Sequence, residues 1–450
     1  MSAASSDDRV LQWVGGLPER WETAALGTRL KENKSSNKGL VEKQVLSLSY
    51  GRVVIKPEEK LRGLVPESFE TYQILAPGDI VIRPTDLQND QTSLRIGQSH
   101  FRGIITSAYI AVRPQNGMDH RFAAYVLAAY DFMKVFYGFG SGLRQNLDFK
   151  HIKHIPIPVP PLEEQTLIVR YLDHAELRIA KAIAGKSEVL AKLREAKTAV
   201  IGDSVLGEVR PGDQGTTIEL GVIPSAWSVI SLRGLLRPRA ERNRPDLPLL
   251  SVVRSAGVIV RSLDKADNHN FIPEDLSNYK VVHTGDLVIN KMKAWSGSAG
   301  IARMDGIVSP AYFVFSLAGE TDPEYMNLLF RSPQMRDQFA RASRGVRVGQ
   351  WDLSLQDVKS VLIPVPPLEE QCEIARRIGE RTSAIDAAMD AVNAEMALLK
   401  EYRTRLISDV VTGKLDVRDE AATLLEIDPM ELATAAVGEN GDDEEATDDD

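Results

Sequence analysis

The sequence of 450 residues contains a single cysteine, Cys372, and no long apolar run. One cysteine excludes an intrachain disulfide and favours a reducing compartment. A membrane-spanning helix needs about 18 or more consecutive apolar residues, and the sequence offers no such run. Residues 1–8 carry neither the basic nor the apolar segment of a secretory signal. We therefore expect a cytoplasmic protein with no membrane partner.

Sequence motifs of common catalytic and cofactor sites are also missing. There is no phosphate-loop motif, no dinucleotide-binding fingerprint and no Cys/His cluster with zinc-ligand spacing. The glycine-rich stretch 138–142 is interpreted as a loop, because it does not lead from a strand into a helix. His151 and His154 have no companion ligands nearby and are interpreted as surface histidines. No catalytic residue and no metal site is predicted in this chain.

The net charge of −9 is distributed unevenly. Residues 419–450 hold 13 of the 63 acidic residues and no Lys or Arg, which leaves 54 basic and 50 acidic residues in 1–418, a net of +4. We expect the region from 419 onward to be an acidic, disordered tail. A mildly basic body permits nucleic-acid binding without requiring it.

What the sequence does contain is a repeat. The eight residues Pro-Val-Pro-Pro-Leu-Glu-Glu-Gln at 158–165 recur without a change at 364–371. Other features align at nearly the same offset: Leu17-Pro18 and Trp21 with Ile223-Pro224 and Trp227, Gly78-Asp79 with Gly285-Asp286, Tyr109 with Tyr312, Gly142-Leu143-Arg144 with Gly345-Val346-Arg347, and 193–207 with 399–413. The chain is therefore predicted to contain two copies of one module.

Each copy begins with a region rich in Gly, Pro and β-branched residues, 12–157 and 218–363. The pattern predicts short strands at 44–49, 79–83 and 108–112 and at 249–253, 286–290 and 311–315. Helices are predicted over 121–135 and 324–339. This half of each copy is typical of a compact α+β domain.

The second half of each copy is predicted to be one long helix. Proline suits the first helical turn, and the paired glutamates favour a helix N-terminus. No proline follows in 162–206 or 368–412, and Gly207 and Gly413 are suitable stops. Such helices would be about 65 Å long.

Apolar residues in both long helices follow a heptad pattern that predicts a coiled-coil seam. The first helix offers Leu172, Ile179, Lys186, Leu193 and Val200, with Ile168, Ala175, Ala182, Val189 and Ala196 as the second column. The second helix offers Ile378, Ile385, Val392, Leu399 and Leu406, flanked by Met389 and Met396. Each helix is expected to be the antiparallel partner of the other.

The predicted fold class is therefore α+β, with two similar globular domains separated by an antiparallel pair of long coiled-coil helices in a pseudo-twofold dumbbell. The predicted boundaries are 1–157 for the first domain, 158–207 for the first helix, 208–363 for the second domain, 364–418 for the second helix and 419–450 for the acidic tail.

Basic and amide side chains recur in loops at equivalent places of the two copies. Arg and Lys neutralise phosphates, and Arg, Asn and Gln can read base edges. One such cluster alone is typical of a solvated loop, but recurrence in register favours DNA contacts. The candidates in the first copy are Arg29, Lys31, Lys38, Arg83, Arg144, Gln145 and Asn146. Those in the second copy are Arg239, Arg242, Arg244, Lys291, Lys293, Arg344, Arg347 and Gln350.

Two variable domains that alternate with two long helices, each helix opening on Pro-Pro-Leu-Glu-Glu-Gln, resemble the DNA-specificity subunits of Type I restriction–modification enzymes. The resemblance covers about 12–418. It implies that the globular halves are target recognition domains, each reading one part of a gapped DNA target, and that the helices form the spacer. The acidic end lies outside this pattern.

The resemblance also implies partners for a chain that is itself non-catalytic. These are double-stranded DNA, two methyltransferase (modification) subunits and two restriction (helicase–nuclease) subunits. S-adenosylmethionine, ATP and Mg²⁺ are expected in those partner subunits, and no cofactor is expected on this chain. Two alternatives remain: a protein–protein scaffold of the same shape without a DNA role, and a fused enzyme whose catalytic residues carry no known motif.

Overall fold

The computed structural model describes residues 16–437 except 50, 58–67, 86, 88–93, 140–146, 210, 255, 262–271, 274 and 345–350. The chain divides into two compact units. The first unit comprises 1–185 and 395–439, and the second comprises 186–394 and 440–450. Each unit therefore contains one globular half, the beginning of its own long helix and the end of the other long helix.

Among its described residues, the first globular half has ten short strands and three short helices, followed by the first long helix. The strands are β1 Glu22–Ala25, β2 Leu30–Glu32, β3 Leu46–Ser49, β4 Arg52–Ile55, β5 Gln73–Leu75, β6 Ile80–Ile82, β7 Ile96–Gln98, β8 Gly103–Ile105, β9 Ile110–Pro114 and β10 Pro156–Val159. The helices are α1 Leu26–Arg29, α2 His120–Phe132, α3 Phe149–Ile152 and the long α4 Leu162–Val205.

The second globular half repeats this order. Its strands are β11 Thr216–Ile218, β12 Gly221–Ile223, β13 Ser228–Ser231, β14 Leu236–Pro238, β15 Leu250–Val253, β16 Gly257–Val260, β17 Lys280–Val282, β18 Leu287–Asn290, β19 Ala299–Ile301, β20 Gly306–Val308, β21 Tyr312–Leu317, β22 Ser343–Arg344, β23 Asp352–Leu353 and β24 Leu362–Val365. Its helices are α5 Leu232–Leu235, α6 Pro323–Phe330, α7 Pro333–Ala342, α8 Leu355–Ser360 and the long α9 Leu368–Val411.

A four-stranded antiparallel sheet forms the centre of each globular half. Its strand order is β2-β9-β6-β7 in the first half and β14-β21-β18-β19 in the second. The pairs β3-β4 and β5-β8 have the equivalents β15-β16 and β17-β20. The α+β class and the internal duplication predicted from the sequence are confirmed, and all six predicted strands are present.

One predicted helix is interrupted. The sequence predicts a single helix over 324–339, whereas the structure has α6 and then α7. Pro333 lacks the N–H that would continue α6, and the Ser332 hydroxyl accepts a hydrogen bond from the Met335 N–H at 3.3 Å, which starts a new helix.

The long helices run antiparallel in each unit. In the first unit, Leu172 near the start of α4 shares a hydrophobic core with Leu406 and Val410 near the end of α9. In the second unit, Val205 at the end of α4 shares a core with Ile378 near the start of α9. The antiparallel prediction is thereby confirmed within both units.

The predicted seam of α4 is correct near the start of the helix and wrong in one column further along. Leu172, Ile179 and Ile168 are buried as expected, but Ala182, Val189 and Ala196 are exposed. The buried side chains are instead Ile183 and Leu190. These two are the repeat equivalents of Met389 and Met396, which flank the predicted seam of α9 and are half-buried. The apolar periodicity of α4 alone is compatible with burial of Ala182 or Ile183, and of Val189 or Leu190, because both members of each pair lie on the apolar side of the helix.

The repeated eight-residue block joins a strand to a helix. Pro158 and Val159 belong to β10, which pairs with β1, so the predicted domain boundary at 157/158 falls inside a strand. Proline is tolerated there because β10 is an edge strand. The helix begins four residues into the block, after Pro161, whose carbonyl accepts hydrogen bonds from the N–H groups of Glu164 and Gln165.

The glutamine that closes the block fastens each long helix to its own globular half. Gln165 Oε1 accepts from the Asp119 N–H at 2.8 Å, and its Nε2 donates to the Gly117 carbonyl at 3.1 Å. Gln371 makes the equivalent bond to the Asp322 N–H at 2.9 Å. Both glutamines are fully buried. The block therefore fixes the direction in which each helix leaves its domain.

The C-terminal end of each long helix packs against the Pro-x-x-Trp segment of the other copy. Gly207 and Gly413 end the helices with φ values of 71° and 70°, a backbone conformation that favours glycine. A Cβ atom at Gly207 would lie 2.5 Å from the Trp227 ring, and one at Gly413 would lie 2.5 Å from Pro18. The predicted stops are confirmed.

The expectation of a disordered tail from 419 onward is wrong for 419–437. Helix α10, Arg418–Ala422, and helix α11, Pro429–Val437, follow α9, and Ala421 and Ile427 are buried. In the first unit, α4 supplies cations to this segment. Lys181 pairs with Glu431 at 3.1 Å, and Arg170 donates to the Ala421 carbonyl at 3.5 Å. Residues 438–450 lie outside the described part.

A buried carboxylate connects α4 to α2 in the first unit. Asp173 Oδ1 accepts from the Tyr125 hydroxyl at 2.8 Å, and Oδ2 pairs with Arg121. Burial raises the pKa of Asp173 to about 6, although Arg121 and Tyr125 oppose that shift. The folded protein therefore keeps a proton here at pH values where the unfolded chain has released it.

This difference predicts that Asp173 contributes less to stability as pH rises from its ordinary pKa of 3.8 to about 6. We expect the free energy of unfolding of the wild type, relative to Asp173→Asn, to increase as pH falls from about 6.5 to about 4.5. Urea unfolding at several pH values measures this difference. The exposed Asp203→Asn variant on the same helix serves as the control, and parallel curves for all three proteins would contradict the prediction.

Candidate nucleic-acid interface

The Gly-Asp motif places a buried carboxylate at the start of the central strand of each sheet. Asp79 accepts two hydrogen bonds from Arg113, at 2.7 and 2.8 Å, and one from the Ala76 N–H at 2.8 Å. Asp286 accepts from Arg239 Nε at 2.9 Å. Arg239, a predicted DNA contact, therefore has its charge paired with a buried aspartate. Both aspartates stabilise the sheet.

At the other end of that strand, the segment that follows it is bonded to a residue just after the Gly-x-Arg motif. The segment after β6 is bonded to the segment that leaves the Gly-Leu-Arg loop, because the Leu147 N–H donates to the Pro84 carbonyl at 3.0 Å. In the second unit the Leu353 N–H donates to the Lys291 carbonyl at 2.9 Å. The same junction is thus built twice, once in each unit.

An aromatic pair reinforces this junction in the second unit. The rings of Trp295 and Trp351 meet edge to face, with centroids 5.4 Å apart. Trp295 Nε1 also donates to the Met292 carbonyl at 3.1 Å. Such pairs contribute about 0.5–1.5 kcal/mol beyond their burial. They hold the end of the Gly-Val-Arg loop against the segment that carries Lys291.

A cation that the sequence analysis missed lies beside this junction. Lys280 Nζ donates to the Tyr312 carbonyl at 2.5 Å, and Tyr312 pairs in register with Asn290, the residue before Lys291. Burial lowers the pKa of Lys280, and the positive charges of Arg242 and Lys291 lower it further. Lys280 was overlooked because the search required basic residues in both copies, and its equivalent is Gln73.

The first predicted cluster of the first copy does not join the junction. Arg29 donates to Glu22 at 2.8 Å and to the Asn116 carbonyl, and its own carbonyl accepts from Gln115, beyond the C-terminal end of β9. Arg83 follows β6, whose last residue pairs with Ile110 at the other end of β9. The structure therefore places Arg29 and Arg83 at opposite ends of the sheet.

The remaining described candidates fall into two groups. Lys31 and Lys38 are exposed, and Lys293 and Arg83 are half-buried. Two arginines form exposed ion pairs: Arg244 with Asp246 at 2.8 Å, and Arg344 with Asp357 at 3.2 Å. The predicted contacts Arg144, Gln145, Asn146, Arg347 and Gln350 lie outside the described residues.

Arg95 organises the junction of the first unit and was also missed. It is fully buried, and its guanidinium donates to the Thr85 carbonyl at 2.7 Å and to the Tyr137 hydroxyl at 3.0 Å. Its backbone N–H donates to Asp131 at 2.8 Å. Arg95 thereby holds the segment after β6 against α2. Its sequence neighbourhood gives no signal of burial, since arginine is ordinarily exposed.

The described residues contain no cluster of three or more His, Cys, Asp or Glu side chains arranged for a metal ion. His151 has a structural contact: its Nδ1 accepts from the Asp148 N–H at 3.0 Å at the start of α3. Within the same described ranges, no helix combines the length and the hydropathy that a membrane crossing requires.

Comparison with known proteins gives consistent results. Residues 81–189 match the family model described as the Type I restriction modification DNA specificity domain. The chain is 24% identical over 305 residues to the EcoBI specificity subunit of Escherichia coli, a match that covers 62% of this chain and 64% of that subunit. It is 22% identical to the MjaVIII specificity subunit of Methanocaldococcus jannaschii, covering 90% and 95% of the two chains.

A solved chain from work on complex assembly and conformational transition of the type I R-M system has the same fold. It superposes with a TM-score of 0.54 at 16% identity and covers 89% of this chain and 99% of its own length. The family match includes the central strand, α2 and the start of α4, the elements that build the junction and the exit of the long helix. Over most of its length, this chain is therefore similar to the DNA specificity subunits of Type I restriction–modification enzymes.

Proposed function

We propose that this chain reads a two-part DNA target, with one recognition domain for each part, and holds the catalytic subunits of a Type I restriction–modification complex. The observation that carries the proposal is the repeated junction at the end of the central strand. There the segment after β6 is bonded to Leu147, and the segment after β18 is bonded to Leu353 of β23. Two such junctions in one chain support two readers.

The chemistry of the second junction suits a DNA groove. Arg242, Lys280 and Lys291 supply positive charge for phosphates, and Arg347 and Gln350, which precede Trp351 in the sequence, remain candidates for base contacts. Arg239 and Arg244 are less suited, because each is already paired with an aspartate. In this proposal phosphates position the domain and the loop selects the bases.

The partner subunits belong to the same proposal. Two methyltransferase subunits and two restriction subunits would assemble with this chain in the cytoplasm. S-adenosylmethionine, ATP and Mg²⁺ would be used by those subunits. The chain itself would contribute recognition, with the long helices α4 and α9 as the spacer that separates the two half-sites.

The test is the methylome of the source organism with and without this gene. We expect a gapped, two-part N6-methyladenine motif in the wild type that disappears in the deletion strain. Complementation with the wild-type gene should restore it. Long-read sequencing of native DNA measures both states.

The control strain carries an early stop codon in this gene at its own locus. It separates the loss of this protein from effects of the deletion on neighbouring genes. A methylome that is identical in the deletion and wild-type strains would contradict the modification role. A two-part motif would in turn exclude the alternative of a scaffold without a DNA role.

A further inference from the structure

The two units differ in charge at one structurally equivalent place. In the second unit Arg242 and Lys280 form an isolated β-bridge, and in the first unit Ser36 and Gln73 form the same bridge. Lys280 Nζ donates to the Tyr312 carbonyl at 2.5 Å, as Gln73 Nε2 donates to the Tyr109 carbonyl at 2.7 Å. The backbone is therefore the same while the side chains differ.

A third pair of equivalent positions shows the same difference in charge. The carbonyl that accepts from Leu353 belongs to Lys291, and the one that accepts from Leu147 belongs to Pro84. Three cations in the second unit thus occupy the places of three uncharged residues in the first. The two sets are Arg242, Lys280 and Lys291, and Ser36, Gln73 and Pro84.

Nothing in the described part of the chain neutralises the three cations. Lys280 donates to a backbone carbonyl, and Arg242 donates to Asn278. No ion pair between a carboxylate and Arg242, Lys280 or Lys291 is found among the described residues. Since an ammonium has three donors, Lys280 keeps two for a ligand.

Like charges held together without an acid lower stability unless an anion binds between them. The half-buried position of Lys280 increases this cost, and its lowered pKa reflects both burial and the two neighbouring cations. The cluster also adjoins the junction of the two loops, where the rings of Trp295 and Trp351 meet. A polyanion that lies along the loops would supply the missing charge.

We infer that Arg242, Lys280 and Lys291 form a phosphate-binding site for double-stranded DNA in the second recognition domain, and that the described residues of the first domain carry no such site at the equivalent positions Ser36, Gln73 and Pro84, so that the second domain is the electrostatic anchor of the chain. The inference rests on the proposed function. It predicts that the two domains contribute unequally to the salt dependence of DNA binding.

The experiment compares the full-length chain with Lys280→Gln, which copies the residue of the first unit and keeps the hydrogen bond to Tyr312. The probe is a fluorescein-labelled 40-base-pair duplex of mixed sequence, followed by anisotropy from about 50 to about 200 mM NaCl. Lys280→Gln should weaken binding roughly 3- to 10-fold and reduce the slope of log K against log salt by about 1.

Three further variants sharpen the result. Arg242→Ser, which copies Ser36, should act in the same direction, and Ser36→Arg at the exposed equivalent should raise the affinity. Arg244→Ala, which removes a cation already paired with Asp246, should change the affinity less than about twofold. Urea unfolding confirms that each variant is folded.

The outcomes separate the inference from the function on which it rests. If the wild type binds the duplex, and if Lys280→Gln and Arg242→Ser both keep the wild-type affinity and salt slope, the anchor is overturned. DNA recognition by the chain is then left intact. A wild-type chain that fails to bind the duplex even at the lowest salt, together with an unchanged methylome, overturns the proposed function and the anchor with it.

Discussion

Replacing Leu190 by aspartate is expected to unfold the second unit, whereas the same change at the adjacent Val189 should be tolerated. Leu190 is 1% exposed and Val189 is 45% exposed. Truncating a buried leucine costs about 2–5 kcal/mol, and an unpaired buried carboxylate adds several more. The expected loss at Leu190 is therefore at least about 4 kcal/mol, a large share of the stability of an ordinary domain.

Urea unfolding and limited proteolysis of the two variants measure the difference directly. Val189→Asp should remain within about 1 kcal/mol of the wild type, since exposed substitutions seldom exceed that value. The pair is a strict test of the register, because the heptad pattern alone assigns Val189 to the seam. Equal losses in both variants, or a larger loss at Val189, would show that the seam lies where the sequence pattern puts it.

Replacing Asp79 by alanine is the second substitution with a large expected effect. Asp79 is 1% exposed and accepts hydrogen bonds from Arg113, Asn33 and the Ala76 N–H. Without the carboxylate, the buried Asn33 amide and the Ala76 N–H lose partners. Arg113 is 54% exposed, so water can solvate its charge. We expect a loss of about 3 kcal/mol.

Asp246→Ala provides the matched control, since Asp246 also binds an arginine through both oxygens. Its pair with Arg244 is exposed on both sides and screened by water, so its removal should lower the free energy of unfolding far less than Asp79→Ala does. Chemical denaturation monitored by tryptophan fluorescence compares the two. Losses of similar size would show that the buried aspartate of the Gly-Asp motif has no special role in the sheet.

The long helices show which structural properties a local sequence pattern can predict. A proline pair, two glutamates and the absence of later prolines are sufficient to predict where α4 and α9 begin, and Gly207 and Gly413 show where they end. The same pattern does not determine which column of residues is buried in the seam. In α4 the residues at 182 and 183 both lie on the apolar side, and only the packing partner decides which one is buried. Alignment with Met389 would have selected Ile183.

The candidate interface depends still more on tertiary structure. The sequence predicts basic clusters at equivalent places of the two copies, and the bonds at Pro84 and Lys291 show which segments the fold brings next to each other. It does not reveal that Arg239 is held by Asp286, or that Lys280 lies beside Arg242. Those contacts join residues about 40 positions apart, through strands whose pairing is set by the whole sheet.

For the acidic end, the sequence pattern predicted too little structure. Its composition is typical of a disordered tail, yet 419–437 forms two helices on α4. Lys181 and Arg170 are ordinary surface cations when read along α4. Only the fold reveals that they face Glu431 and the end of α10.

The sequence by itself determined the duplication, the α+β order of each copy, the extent of the long helices and the family resemblance. These follow from repeat identity and from periodicities that operate within one element. Tertiary structure decided which residues of α4 are buried, which arginines are paired with aspartates and where Arg242, Lys280 and Lys291 gather. The physical reason is that burial and charge pairing depend on side chains that are distant along the chain, and local patterns do not specify those neighbours.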